Sequence, residues 1–199
     1  PSGGSIHFSG QAIHGLRDHQ IARKGVVRTF QNVRLFRDMT AVENLLVAQH
    51  KHLNTGLLSG LFKTPAFRRS EKEALDFAAQ WLERVGLTEI ANRPAGTLAY
   101  GQQRRLEIAR CMMTRPSLLM LDEPAAGLNP RETEELEALL AGLRQEHQIT
   151  VLLIEHDMRL VMSISDHIYV INQGRPLADG TPQQVREHPE VIKAYLGEA

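Results

Sequence analysis

The sequence contains almost no cysteine. Cys111 is the single one among 199 residues, so the chain cannot form an internal disulfide. It lies within an amphipathic helix pattern, and we therefore expect a small core residue in a protein of a reducing compartment.

An excess of charge is also missing. Lys and Arg together number 23, and so do Asp and Glu. Because nucleic-acid binding needs a basic surface, this balance argues against nucleic acid as the primary partner.

Long hydrophobic runs are absent as well. No apolar stretch approaches the ~20 residues of a membrane-spanning helix, and no charged-then-apolar leader opens the chain. Any membrane association is therefore expected to go through a partner. The chain begins PSGG without Met, and we interpret this start as that of a cut, processed or truncated product.

The phosphate-binding pattern G-x-x-x-x-G-K-S/T does not occur. It requires a glycine directly before a lysine, and none of the lysines has one: Lys24, Lys51, Lys63, Lys72 and Lys193. What is present is an ordinary globular composition, with 42% hydrophobic and 23% charged residues. The length fits one domain with a core, or one domain plus a small lobe.

The most informative stretch is 117–130, SLLMLDEPAAGLNP. Four apolar residues run without alternation into Asp122 and Glu123, which predicts a short strand buried on both faces. The carboxyl ends of parallel strands open onto the ligand crevice, so two carboxylates there can meet a metal ion or a reacting water. The alternative is a strand that simply stops at solvent.

A second stretch, 98–114, has the sequence LAYGQQRRLEIARCMMT. Gly101 and Gln102 stand at the start of a helical pattern. Such a helix would point free backbone amides and the positive end of its dipole outward, where they can bind phosphate.

These segments together resemble a known family. LAYGQ, the arginine-rich helix and LLMLDEP resemble the signature and Walker B motifs of an ATP-binding cassette, the motor subunit of an ABC transporter. More narrowly, LAYGQQRRLEIARC, AAGLNP, IEHDM and the ending KAYLGEA resemble the ATP-binding subunits of high-affinity branched-chain amino acid importers. The resemblance covers nearly the whole chain.

The resemblance implies an α/β fold, a RecA-like P-loop NTPase core with an inserted helical subdomain. Residues 1–31 would be core up to the Q-loop, 32–115 the helical subdomain, 116–180 core again, and 181–199 a carboxyl-terminal extension. In the family the phosphate loop lies upstream of a segment like PSGGSIHFSG. We therefore expect an N-terminally truncated chain without the Walker A strand and helix, one that alone neither binds ATP tightly nor hydrolyses it.

The resemblance also implies the residues of the site. Asp122 would bind magnesium, Glu123 would act as general base toward water, and His156 would contact the terminal phosphate. Gln31 would complete the shell of the metal and the water. Without the other motifs, Gln31 would be an exposed loop residue and His156 a bystander at a strand end.

The nucleotide of the opposite subunit would meet the signature segment, which comprises Leu98, Ala99, Tyr100, Gly101 and Gln102. Ala99 and Tyr100 replace the Ser and Gly of the common pattern, so the serine hydroxyl contact is missing and backbone amides would have to serve. Asn129 occupies the D-loop position; we expect it to cap a helix first and to contact the other subunit second.

The function implied is ATP hydrolysis that powers import of branched-chain amino acids, with ATP and Mg²⁺ as cofactors. The partners would be a second cassette, transmembrane permease subunits and, indirectly, a solute-binding protein, at the cytoplasmic face of the inner membrane. Two alternatives stay open: a soluble ABC-type ATPase of translation or DNA repair, and a non-catalytic pseudo-ATPase module.

Local patterns predict further elements. Strands are expected at 5–8, 25–30 and 150–154, a loop or broken helices at 52–69, and a hairpin through Gln173 and Gly174. A helix is expected at 71–85, with Leu75 in its buried stripe and Trp81 as a core residue rather than a ligand platform. Capped helix starts are expected at Thr40, Asn129 and Thr181. Without a neighbouring strand, the strands at Leu118 and Val151 would each expose apolar faces and a ladder edge.

Overall fold

The computed structural model describes residues 3–49 and 65–196. Its strands are β1 (His7–Phe8), β2 (Gln11–Ala12), β3 (Val26–Arg28), β4 (Leu118–Asp122), β5 (Thr150–Ile154), β6 (Ile168–Asn172) and β7 (Arg175–Gly180). Its helices are α1 (Asp18–Arg23), α2 (Ala41–Ala48), α3 (Pro65–Arg84), α4 (Tyr100–Met112), α5 (Pro130–His147), α6 (Met158–Ile164), α7 (Pro182–Arg186) and α8 (Pro189–Val191). The described residues also include 3₁₀ turns at Thr88–Ile90 and Ala95–Thr97 and a π-helical turn at Ile192–Leu196.

A parallel sheet in the order β3-β4-β5 organises the molecule. Val26 pairs with Leu118 across one edge of β4, and Leu118 pairs with Thr150 across the other. The expectation that the strand at Leu118 exposes a ladder edge is therefore wrong, because β3 and β5 occupy both of its edges. Within the described residues β5 is paired on one side only, as expected.

The two faces of the sheet differ in burial. Leu119 and Leu121 are fully buried, whereas Leu118 and Met120 on the opposite face are only half-buried. The prediction of a strand buried on both faces is thus wrong, because helices cover one face only within the described ranges. Beside Met120 in the register, Leu152 is 47% exposed, so the expected exposure of apolar surface on β5 is confirmed.

Helices α2, α3, α4 and α5 supply most of the main core. Trp81 is 2% exposed, which confirms it as a packing residue rather than a ligand platform. Leu75, placed by its spacing in the buried stripe of α3, is 44% exposed instead. The buried face centres on Ala74, Ala78 and Val85, and Leu75 lies about a quarter turn away at its edge.

Helix α3 begins earlier than its pattern predicted. Residues 65–69, expected as part of a loop or of broken helices, belong to the continuous helix described from Pro65 to Arg84. Residues 52–64 of the same predicted loop lie outside the described residues.

All three predicted capping sites are confirmed. The Thr40 hydroxyl accepts a hydrogen bond from the Glu43 amide, and the Glu43 carboxylate accepts one from the Thr40 amide at 2.7 Å. This return bond lowers the pKa of Glu43. Thr181 and Asn129 cap α7 and α5 in the same reciprocal way.

The carboxyl-terminal hairpin is also confirmed. Gln173 and Gly174 adopt φ values of 48° and 75°, the left-handed pair that a tight turn between β6 and β7 requires. A second small core, centred on Ile168, Val170, Val185 and Val191, lies beneath it. Among the described residues, no helix has the length and apolar character needed to cross a membrane.

Truncating Leu82 should destabilise the chain far more than truncating Leu75, which lies on the same helix. Leu82 is 3% exposed, so Leu82→Ala leaves a cavity and should lower the free energy of unfolding by about 2–5 kcal/mol. Leu75→Ala should cost less than about 1 kcal/mol. Urea unfolding of both variants measures the difference, and equal losses would contradict the burial assigned to α3.

The thiol of Cys111 should be unreactive in the folded chain. Burial raises its pKa to about 12, so the reactive thiolate is nearly absent at pH 8. A chromogenic thiol reagent should give no signal without denaturant and one equivalent per chain in concentrated urea. Rapid reaction of the native chain would show that α4 does not pack as described.

Candidate functional site

The four residues predicted at the reaction centre lie together. The side-chain amide of Gln31 donates to Glu123 Oε2 at 3.0 Å, and His156 Nδ1 lies 3.8 Å from Glu123 Oε1. Asp122 directly precedes Glu123 at the end of β4. Acid, amide and imidazole thus share one edge of the sheet.

The parallel pairing explains this convergence. Asp122 pairs with Ile154, the last residue of β5, and His156 follows two residues later. The Glu123 amide donates to the Ile154 carbonyl at 2.9 Å, so the chains leaving β4 and β5 stay joined beyond the strands. Glu123 has φ of 44°, an uncommon left-handed conformation for a side-chain-bearing residue, and the chain leaves the strand direction there.

Arg28 is a member of the site that sequence reasoning missed. Its Nη2 lies 2.6 Å from Asp122 Oδ2, at the end of the neighbouring strand β3. The pair is partly exposed, with Arg28 52% and Asp122 23% accessible, so solvent screens it and its net stabilisation is small. The pair nevertheless places the positive charge of Arg28 beside the Asp122 carboxylate. The signal was available in the strand pattern, where one arginine interrupts GVVRTF.

Glu155 was also missed, although it adjoins the predicted histidine. Its side chain is 1% exposed, and its carboxylate accepts from the amides of Ala125 at 2.9 Å and His156 at 3.1 Å. A buried carboxylate needs such donors. Glu155 therefore ties the loop after β4 to the end of β5 and holds the backbone at His156.

No ready-made metal cage accompanies these residues. Across 3–49 and 65–196, no group of three or more His, Cys, Asp or Glu side chains is arranged to hold a metal ion. Asp122 and Gln31 nevertheless offer the hard oxygen donors that magnesium takes, and magnesium usually keeps water and phosphate oxygens as its other ligands. The donor set fits an ion that arrives with a phosphorylated substrate.

The signature segment forms the start of α4, as predicted. The Gln102 side chain accepts from the Ala99 amide at 3.0 Å, and the Gln103 side chain donates to the Leu98 carbonyl at 2.8 Å. Tyr100 is 41% exposed, whereas Gly101 is buried. Side chains of α4 itself thus order the turn that leads into this helix.

Close packing of two helix ends explains why residue 101 is glycine. A Cβ there would lie 2.3 Å from Glu132 Oε1 and 2.6 Å from its carboxyl carbon. Glu132 in turn accepts from the Asn129 amide at 3.0 Å, while Asn129 Oδ1 accepts from the Glu132 amide. The described contacts of the Asn129 side chain lie within α5 rather than at the cluster around Glu123.

Gly101→Ala should therefore be coupled to Glu132. The added methyl displaces the carboxylate from its cap, so we expect a double-mutant cycle with Glu132→Ala to give a coupling of about 1 kcal/mol in urea unfolding. Gly142→Ala is the control: it lies inside α5, its Cβ would meet only Glu146 Oε1 at 3.7 Å, and it should not couple to Glu132→Ala. Additive effects in both cycles would rule out the steric explanation.

Two family sequence profiles match this chain. The profile described as ABC transporter matches residues 1–126, and the profile described as Branched-chain amino acid ATP-binding cassette transporter matches residues 175–199. The first covers more than half of the chain.

Curated relatives and solved structures agree with these profiles. The chain is 77% identical over 199 residues to the High-affinity branched-chain amino acid transport ATP-binding protein BraF of Pseudomonas aeruginosa, covering 100% of this chain and 78% of that protein. It is 69% identical, with the same coverage, to the High-affinity branched-chain amino acid transport ATP-binding protein LivG of Escherichia coli K12.

The ADP conformation of MJ1267, an ATP-binding cassette of an ABC transporter, matches with a TM-score of 0.78 at 32% identity, over 98% of this chain and 78% of that one. The mixed α/β fold is therefore the P-loop NTPase fold of an ABC cassette, as the motifs indicated. The chain belongs to the ATP-binding cassette family of ABC transporters.

Proposed function

We propose that this chain is part of an ATP-hydrolysing subunit that powers the import of branched-chain amino acids through a membrane ABC transporter. The observation that carries the proposal is the cluster at Glu123, with Gln31 Nε2 at 3.0 Å from one carboxylate oxygen and His156 Nδ1 at 3.8 Å from the other. The 77% identity to BraF supports the substrate class.

Phosphoryl transfer to water needs little covalent chemistry from a protein. It needs a positioned water and neutralised charge. We assign Glu123 to orient the attacking water and take its proton, since its carboxylate lies at the open edge of the sheet and is partly accessible. The hydrogen bond from Gln31 fixes one oxygen of that carboxylate. His156, 73% exposed, can donate to the terminal phosphate.

Asp122 and the amide oxygen of Gln31 are assigned to magnesium. When bound with the nucleotide, the ion would neutralise charge on the phosphates. Arg28 beside Asp122 and Glu155 behind His156 would hold the two strand ends in place.

The remaining assignments concern assembly. We propose that the signature segment, from Leu98 to Gln102, meets the nucleotide of a second cassette, with Asn129 nearby at the D-loop position. Permease subunits would bind the pair at the cytoplasmic face of the inner membrane, and a solute-binding protein would deliver the amino acid. Nucleic acid is not among the proposed partners.

Glu123→Gln tests the catalytic assignment in the full-length protein. Because a general base contributes on the order of 10²–10⁴-fold, steady-state ATP hydrolysis should fall by at least about 100-fold while nucleotide affinity stays near wild type. Glu89→Gln, an exposed glutamate in a 3₁₀ turn, is the matched control and should hydrolyse normally. Hydrolysis retained in Glu123→Gln would remove that residue from its role.

The same pair of variants tests the substrate class. In cells lacking the gene, uptake of radiolabelled leucine should be restored by the wild type and by Glu89→Gln, and not by Glu123→Gln. Leucine uptake that never depends on the gene would exclude branched-chain amino acid import, even if ATP hydrolysis is confirmed.

A further inference from the structure

A buried ion pair lies one turn into α4. Arg104 Nη1 is 3.0 Å from Glu107 Oε2, and the two side chains are 0% and 1% exposed. Burial raises the pKa of Glu107, because removing its carboxylate from water costs desolvation free energy. Arg104 Nε is buried and has no hydrogen-bond partner among the described residues. Since apolar residues often stabilise a core at least as well as such a pair, its contribution to folding alone is a weak explanation.

The pair binds one particular piece of backbone. Arg104 Nη1 donates to the Phe30 carbonyl at 2.9 Å, and Arg104 Nη2 donates to the Gln31 carbonyl at 2.7 Å. Glu107 Oε1 accepts from the Arg34 amide at 2.9 Å. We call Arg104 and Glu107 the α4 clamp, and residues 30–34 the clamped segment.

The clamped segment has no regular structure of its own. It follows β3 and contains neither helix nor strand, so its backbone groups do not find partners in a helix or a sheet ladder. The clamp supplies them instead. Two of the three hydrogen bonds come from the guanidinium ion of Arg104, and such charge-assisted bonds are stronger than neutral ones. Together the three bonds fix a stretch that would otherwise be free to shift.

The clamped segment carries the residue that touches the proposed base. The Gln31 carbonyl is bound to Arg104, and the Gln31 side chain donates to Glu123 at 3.0 Å. Arg104 and Glu107 are themselves inaccessible, so they cannot touch a nucleotide. Their effect on the contact between Gln31 and Glu123 must pass through the clamped segment.

Arg104 also contacts Tyr100 at the start of α4, and Tyr100 in turn contacts the loop after β4. Its Nη2 donates to the Tyr100 hydroxyl at 3.2 Å. The Tyr100 ring packs on Gly127, where an added Cβ would lie 3.3 Å from Tyr100 Cε1. One guanidinium therefore joins the signature segment to the segment that carries Gln31.

We propose that Arg104 and Glu107 are positioning residues for ATP hydrolysis: the α4 clamp sets the backbone of Gln31 so that its side chain meets Glu123, and it links that contact to the signature segment. The inference rests on the proposed function. A misplacement of ~1 Å in a reacting group costs on the order of 100-fold in rate, so loss of the clamp should lower kcat.

The test replaces the clamp by apolar residues of similar size in the full-length protein. Arg104→Met combined with Glu107→Leu should keep the fold, because such swaps of buried ion pairs are often neutral. We expect kcat for ATP to fall by about 10- to 100-fold with KM changed less than about threefold. The matched control is Arg105→Met with Glu135→Leu, which removes a 3.2 Å ion pair between α4 and α5 and should leave kcat within about twofold.

A second arm asks whether the effect passes through Gln31. In a Gln31→Ala background the clamp substitutions should lower kcat no further, because the contact that they position is already gone. Full, independent losses in that background would overturn the proposal. If the wild type hydrolyses ATP and the clamp variant has the same kcat, the proposal is also overturned. If the wild type itself does not hydrolyse ATP, the proposed function is overturned instead.

Amide hydrogen exchange keeps the proposal testable if the double variant folds poorly. Glu107→Leu alone removes the acceptor of the Arg34 amide, so exchange in the clamped segment should be at least about tenfold faster than in wild type, without nucleotide. Arg104→Lys keeps the charge but not the two-pronged guanidinium, and it should show an intermediate kcat. Exchange rates equal to wild type in Glu107→Leu would overturn the clamp.

Discussion

The parallel pairing of β4 with both of its neighbours is the constraint on which the site depends. Asp122 pairs with Ile154 at the ends of β4 and β5, and β3 leads into Gln31 on the other side. Because parallel strands run in one direction, the residues that follow each strand leave at the same edge. Three segments far apart in the chain therefore deliver an acid, an amide and an imidazole to one place.

Three carboxylates lie at this edge, and backbone amides, a side-chain amide and a guanidinium stabilise them. Glu155 is buried but accepts from two amides, while Glu123 is partly exposed and accepts from Gln31. Asp122 has the guanidinium of Arg28 beside it. Each acid thus has its own donors, which lets negative charge accumulate where a cation and phosphates are proposed to bind.

The α4 clamp also positions the site, through contacts between segments that are distant in sequence. Residues 30–34 lie between the strand that ends near Asp122 and the helical part of the chain, and they have no ladder or helix to hold them. An ion pair on the signature helix holds them instead. The geometry at Glu123 therefore depends on packing between two segments about 70 residues apart in sequence.

Local chemistry was predictable from the sequence alone: the caps at Thr40 and Asn129, the turn at Gly174 and the motifs themselves depend on neighbours a few residues away. Tertiary structure decided the rest. Distant parts of the chain determine the exposure of Leu75, the partial burial of one face of β4, and the partners of Arg28 and Arg104. The periodicity of a local segment does not encode which distant segment will pack against it. Sequence determined which groups the chain offers, and long-range packing determined which of them meet.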